Sequence, residues 1–210
     1  MANYSLPKES VMLAKSFTYG VATASFQIEG GADDRLPCIW DTFCATPGKV
    51  ADSSDGKTAC DHYHKWQEDI DLIASLGVDA YRLSISWPRV MTKEGNLNQV
   101  GVDFYINILD SLIEKGIKPY VTLYHWDLPQ HLEDDGGWLN RKTAYLFADY
   151  VDLITKAFGD RVFSYATLNE PFCSAFLGYE AGIHAPGKVG KEYGKKAAHH
   201  LLLAHGLAMQ

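Results

Sequence analysis

Along the chain, four short runs rich in β-branched and aromatic residues alternate with longer stretches whose apolar positions recur every three or four residues. The short runs, residues 18–23, 78–86, 117–124 and 162–168, are predicted as buried strands. Residues 65–76 place Trp66, Ile70, Ile73 and Leu76 near helical spacing and stop at Gly77. Residues 102–115 repeat that design and end at Gly116. A third helix is predicted over 141–158, behind the N-cap candidate Asn140, with Leu146, Tyr150, Leu153, Ile154 and Phe158 turned inward and Gly159 closing it. A fourth is predicted over about 192–209. Strands alternating with helices imply a parallel sheet with right-handed crossovers, either a βα-barrel or a doubly wound sheet. A closed parallel barrel takes eight βα units in about 250 residues, so four strands are half of one. The final LLLAHGLAMQ breaks off inside a helical pattern without a cap, which suggests a fragment whose two strand edges need cover.

Composition narrows the class. With 210 residues, 47% hydrophobic and 21% charged, the chain is predicted as one domain over 1–210, and disorder, collagen and coiled coil are excluded. Nineteen basic against 26 acidic residues give a net charge of −7, which argues against nucleic acid and against a polybasic membrane contact. The partner expected instead is a neutral small molecule or another protein. Cys38, Cys44, Cys60 and Cys173 form no C-x-x-C pair and read as reduced thiols. The amino terminus MANYSLPKES has no apolar core of a signal peptide, and no run of about 18 apolar residues occurs, so a cytoplasmic protein is the expectation.

In βα folds the loops after the strands carry function. The first strand runs into Ser25-Phe26-Gln27, the second carries Arg82, the third ends in Tyr124-His125-Trp126-Asp127 and the fourth in Thr167-Leu168-Asn169-Glu170-Pro171. Amides, an imidazole and an aromatic platform in one cleft suit an uncharged polyhydroxylated ligand such as a sugar. Glu170 is the chemical centre of the set. Pro171 is expected to hold it in extended geometry.

Thr167-Leu168-Asn169-Glu170-Pro171 resembles the T-x-N-E-P acid/base motif of glycoside hydrolase family 1, the β-glucosidases and their relatives. Residues 17–30, Ile39-Trp40-Asp41-Thr42-Phe43, Ala59-Cys60-Asp61-His62-Tyr63-His64, residues 81–89 and residues 124–130 are similar to further motifs of that family, in the same order. The resemblance implies a (β/α)8 TIM barrel of which this chain is the first four βα units, a half-barrel. It also implies hydrolysis of terminal β-D-glucosyl residues with retained configuration, without metal or organic cofactor. On it, Glu170 is the acid/base; Gln27, His125 and Asn169 hold glycone hydroxyls; Trp126 packs beside the sugar; Arg82, a supporting residue, lies close to the nucleophile; Tyr179 and His184 approach the aglycone entrance. The substrate would be a β-glucoside or oligosaccharide. The family's nucleophile sits in an E-N-G motif, and no E-N-G occurs here, so the second carboxylate is expected from a missing C-terminal half, supplied by a second chain. The alternative is a catalytically silent half-barrel that self-associates through its strand edges.

Other features receive plainer readings. Glu29 reads as structural, and Asp127 is not catalytic in the family. Cys60, His62 and His64 lack a helical face for a metal, and His199, His200 and His205 read as surface or interface residues. Gly30-Gly31 and Gly136-Gly137 read as turns, and Glu133-Asp134-Asp135 as a solvated loop.

Overall fold

A computed structural model describes residues 5–210. Four parallel strands, β1 Gly20–Ala22, β2 Ala80–Ser84, β3 Lys118–Tyr124 and β4 Ser164–Leu168, lie side by side in chain order. The register pairs Val21 with Tyr81, Leu83 with Val121, and Tyr124 with Leu168. Chain order equal to spatial order makes every connection a one-strand step, the arrangement of a barrel wall.

The helices are α1 Ser25–Ile28, α2 Ile39–Ala45, α3 His62–Ser75, α4 Trp87–Val90, α5 Gln99–Glu114, α6 Gln130–Asp134, α7 Lys142–Phe158 and α8 Tyr193–Ala208. Long helices make the crossovers. The short ones, α1, α4 and α6, come shortly after β1, β2 and β3, and so build the rim at the strands' carboxyl ends. The core lies between the sheet and α5 and α7, where Ile108, Leu109, Leu112, Val121, Leu123, Phe147 and Ile154 are fully buried. Side chains of this size each contribute about 1.5–3 kcal/mol through burial.

The predicted elements are all present, with shifted ends. Helix α3 begins at His62 rather than residue 65, and Leu76 is exposed beyond its end, where Gly77 turns at φ +68°. Ahead of α7, Asn140 acts as the expected cap, its Oδ1 accepting from Lys142 N at 3.0 Å. Tyr150, Ile154 and Phe158 are buried as predicted, whereas Leu146 and Leu153 are half-buried and Phe147 and Val151 take the inner positions.

Three readings fail. The outer strands are not buried: Val21 alone of β1 is half-buried, and Ser164, Tyr165 and Ala166 of β4 are exposed, because among the described residues no further strand lies beside either. His200 is buried and its Nδ1 lies 2.8 Å from Trp138 O, so it is a packing residue of α8. Glu133 is buried although Asp134 and Asp135 are exposed, since Lys188 and the Tyr179 hydroxyl both reach its carboxylate.

Candidate active site

Arg82 from the middle of β2 meets His125 and Asn169, which directly follow the carboxyl ends of β3 and β4. Arg82 Nε donates to Thr122 Oγ1 at 2.9 Å, and its Nη2 donates to Asn169 Oδ1 at 2.8 Å. A guanidinium only donates, so this contact fixes which way the Asn169 amide faces. Asn169 Nδ2 then lies 3.2 Å from His125 Nε2. An N–H pointing at Nε2 makes that nitrogen the acceptor and places the ring proton on Nδ1. His125 Nδ1 is buried and has no partner. An unsatisfied donor at a cleft is the kind of group that a ligand or ordered water satisfies. Burial, and secondarily the Arg82 cation, push the His125 pKa down to about 4, with the Glu170 charge pulling the other way. The imidazole is therefore neutral near pH 7, suited to hydroxyl groups.

Trp126 follows, with φ +79°, and its Nε1 donates to the Asn169 carbonyl at 2.9 Å. Glu170 also has a positive φ, +42°, so the extended geometry expected before Pro171 is not what forms. The chain instead turns at once into a helical path, with Cys173 N donating to Glu170 O at 2.9 Å. Positive φ at a non-glycine residue costs about 1–3 kcal/mol and concentrates at functional sites. Two such residues at adjacent strand ends are a structural mark of this cleft. The Glu170 side chain is exposed; its Oε2 lies 3.5 Å from Asn169 Nδ2.

Gln27, His125 and Trp126, together with Phe26, Trp40 and His184, form the wall of a cavity of about 370 Å³. His184 stands between two indoles, 5.7 Å from Trp40 and 5.5 Å from Trp126 between ring centres. Tyr179 does not join this wall. Its side chain is 1% exposed and its hydroxyl is committed to Glu133 and to Trp138 N, so no ligand reaches it.

Two other acids near the strand ends are sealed off. Glu29 accepts from Arg89 Nε at 2.9 Å and from the Tyr105 hydroxyl, and Arg89 lies over the Tyr63 ring. Asp127 accepts from Ser25 Oγ at 3.0 Å; burial first, and the Glu29 charge second, push its pKa up to about 6. Both serve packing beneath the cleft. Among the described residues no group of three or more His, Cys, Asp or Glu side chains is placed to hold a metal ion, and no helix is long and apolar enough to cross a membrane. The four cysteines are free.

The family model described as Glycosyl hydrolase family 1 matches residues 9–210. A β-glucosidase from Agrobacterium sp. is 49% identical over 197 residues, covering 92% of this chain and 43% of that protein. A bifunctional β-D-glucosidase/β-D-fucosidase from Bifidobacterium breve is 51% identical, covering 94% of this chain and 44% of its own. Among solved structures, the β-glucosidase of Thermotoga maritima in complex with methoxycarbonyl-substituted glucoimidazole superposes with a TM-score of 0.89 at 51% identity, covering 93% of this chain and 45% of that one. The chain thus spans about half the length of the curated relatives it matches.

Proposed function

Because the chain belongs to glycosyl hydrolase family 1, we propose that it carries the acid/base half of a retaining β-glucosidase site, its four-stranded sheet being half of the (β/α)8 barrel. Glu170 protonates the leaving glycosidic oxygen and afterwards takes a proton from the attacking water. Neutral His125, Gln27 and Asn169 bind hydroxyls of the sugar, and Trp126 stacks beside it. Arg82 orients Asn169. Such a mechanism requires a second carboxylate about 5–5.5 Å from the first. Asp127 and Glu29 are buried and engaged, and the sequence holds no E-N-G, so the nucleophile comes from polypeptide equivalent to the rest of the relatives' length.

The observation that supports this reading best is the Asn169 amide. One side chain joins Arg82, His125 and Glu170 from three strands at the end of the sheet where βα enzymes react. The second reading, a silent half-barrel that self-associates, draws on the exposed faces of β1 and β4.

Glu170→Gln in the assembled barrel separates them. Hydrolysis of alkyl glucosides with poor leaving groups is expected to fall about 10²–10⁴-fold. Activated aryl glucosides, which need little protonation, lose less in the first step, and azide restores part of their turnover. An equal loss for both classes removes Glu170 from the acid role.

A further inference from the structure

Beyond Glu170, the chain enters a π-helical turn at Cys173–Leu177. Such turns are rare and recur at functional sites. Pro171 and the left-handed Glu170 start the turn, the Cys173 amide closes on the Glu170 carbonyl, and Cys173 Sγ comes to 3.6 Å from Glu170 Oε2. Asn169 Nδ2 lies 3.5 Å from the same oxygen.

We propose that Cys173 is a positioning residue for Glu170: its S–H donates to Oε2, so that Oε2 is occupied by two donors and Oε1 is the oxygen left to carry the acid's proton. A carboxyl group on a flexible side chain otherwise shares its proton between two equivalent oxygens and several rotamers. Tying one oxygen removes that ambiguity. This inference rests on the reading of Glu170 as the acid, but the contact itself does not depend on catalysis.

The surroundings make the contact testable. Cys173 shares a narrow crevice with Tyr124, Trp126, Tyr179 and His184. Burial holds Tyr124 and Tyr179 well above the ordinary phenol range and His184 below the ordinary imidazole range, so all three are neutral at mildly alkaline pH. Glu170 is then the charge that faces the thiol. Partial burial and this carboxylate raise the Cys173 pKa.

The experiment is the pH profile of iodoacetamide alkylation of each cysteine in the 210-residue chain, read by peptide mass mapping, with exposed Cys60 as internal reference. Glu170→Gln removes the charge and is expected to speed alkylation of Cys173 roughly threefold or more near about pH 8, leaving Cys60 unchanged. Glu170→Asp keeps the charge but withdraws the oxygen by one methylene, and is expected to fall between wild type and Gln. Identical Cys173 profiles in wild type and Glu170→Gln overturn the proposal. So does a Glu170→Asp profile equal to wild type, since charge alone would then explain the effect. Neither outcome bears on whether the assembled barrel hydrolyses glucosides, which the leaving-group test decides.

Discussion

Asn169 offers one acceptor and two donors, and Arg82 decides how they are used. With Oδ1 accepting from the guanidinium, the two amide hydrogens are directed at His125 Nε2 and Glu170 Oε2, and the second lone pair of Oδ1 is left for a ligand hydroxyl. These residues are legible in the sequence, because His125, Asn169 and Glu170 stand at the ends of β-type runs, Arg82 stands within one, and each lies in a motif. Glu133 and Tyr179 are not. A run of three acids signals solvent, and nothing nearby in sequence announces that Lys188 crosses the fold to pair with the first of them. Asp127 gives a further residue-scale prediction. Its carboxyl pKa is about 6 in the fold and about 4 when unfolded, so the native state holds a proton that the unfolded chain has released. Asp127 therefore stabilises the fold at low pH, and that contribution is lost as pH rises from about 4 to 6, on the order of 2–3 kcal/mol. His125 acts oppositely: its lowered pKa makes the fold gain stability over about pH 4 to 6.5. Denaturant midpoints of wild type and Asp127→Asn at the two ends of this window isolate the Asp127 share. The variant is expected to gain stability relative to wild type as pH rises, and parallel curves would contradict the assignment.

Among the elements, the long helices are set by periodicity and by their glycine ends, and their cores follow. The short helices of the rim, α1, α4 and α6, carry no periodic signal, since four or five residues make barely one turn. They exist because tertiary contacts impose them. Helix α4 shows how closely: a Cβ at Gly101 of α5 would collide with the Arg89 carbonyl. Gly101→Ala is thus expected to destabilise by about 1–3 kcal/mol through overpacking, against a helix-propensity gain of about 1 kcal/mol. Gly206 of α8 meets open space. Gly206→Ala is expected to stabilise by up to about 1 kcal/mol. Thermal unfolding of the two variants checks both signs, and a shift of both in the same direction would contradict the close approach of α5 to α4.

At the scale of the whole molecule, the dominant fact is an unclosed sheet. Parallel strands are ordinarily covered on both faces, yet Tyr165 of β4 and the preceding Phe163 are exposed, and a groove of about 940 Å³ runs between β4, α7 and α8. The alternating pattern predicted four strands and their neighbours. It could not reveal which strands stay exposed, because an edge strand and a central one have the same residues when the fold expects a neighbour. The same openness leaves Glu170 in solvent, facing no second carboxylate from Asp127 or Glu29.

The most direct test follows from that incompleteness. Hydrolysis of an aryl β-D-glucoside is measured for the purified 210-residue chain alone and after mixing with a polypeptide carrying the carboxyl-terminal half of a family 1 β-glucosidase, including its E-N-G segment. No turnover above background is expected from the chain alone, and turnover is expected in the mixture, impaired by Glu170→Gln most for poor leaving groups. Sustained turnover by the chain alone would contradict that expectation.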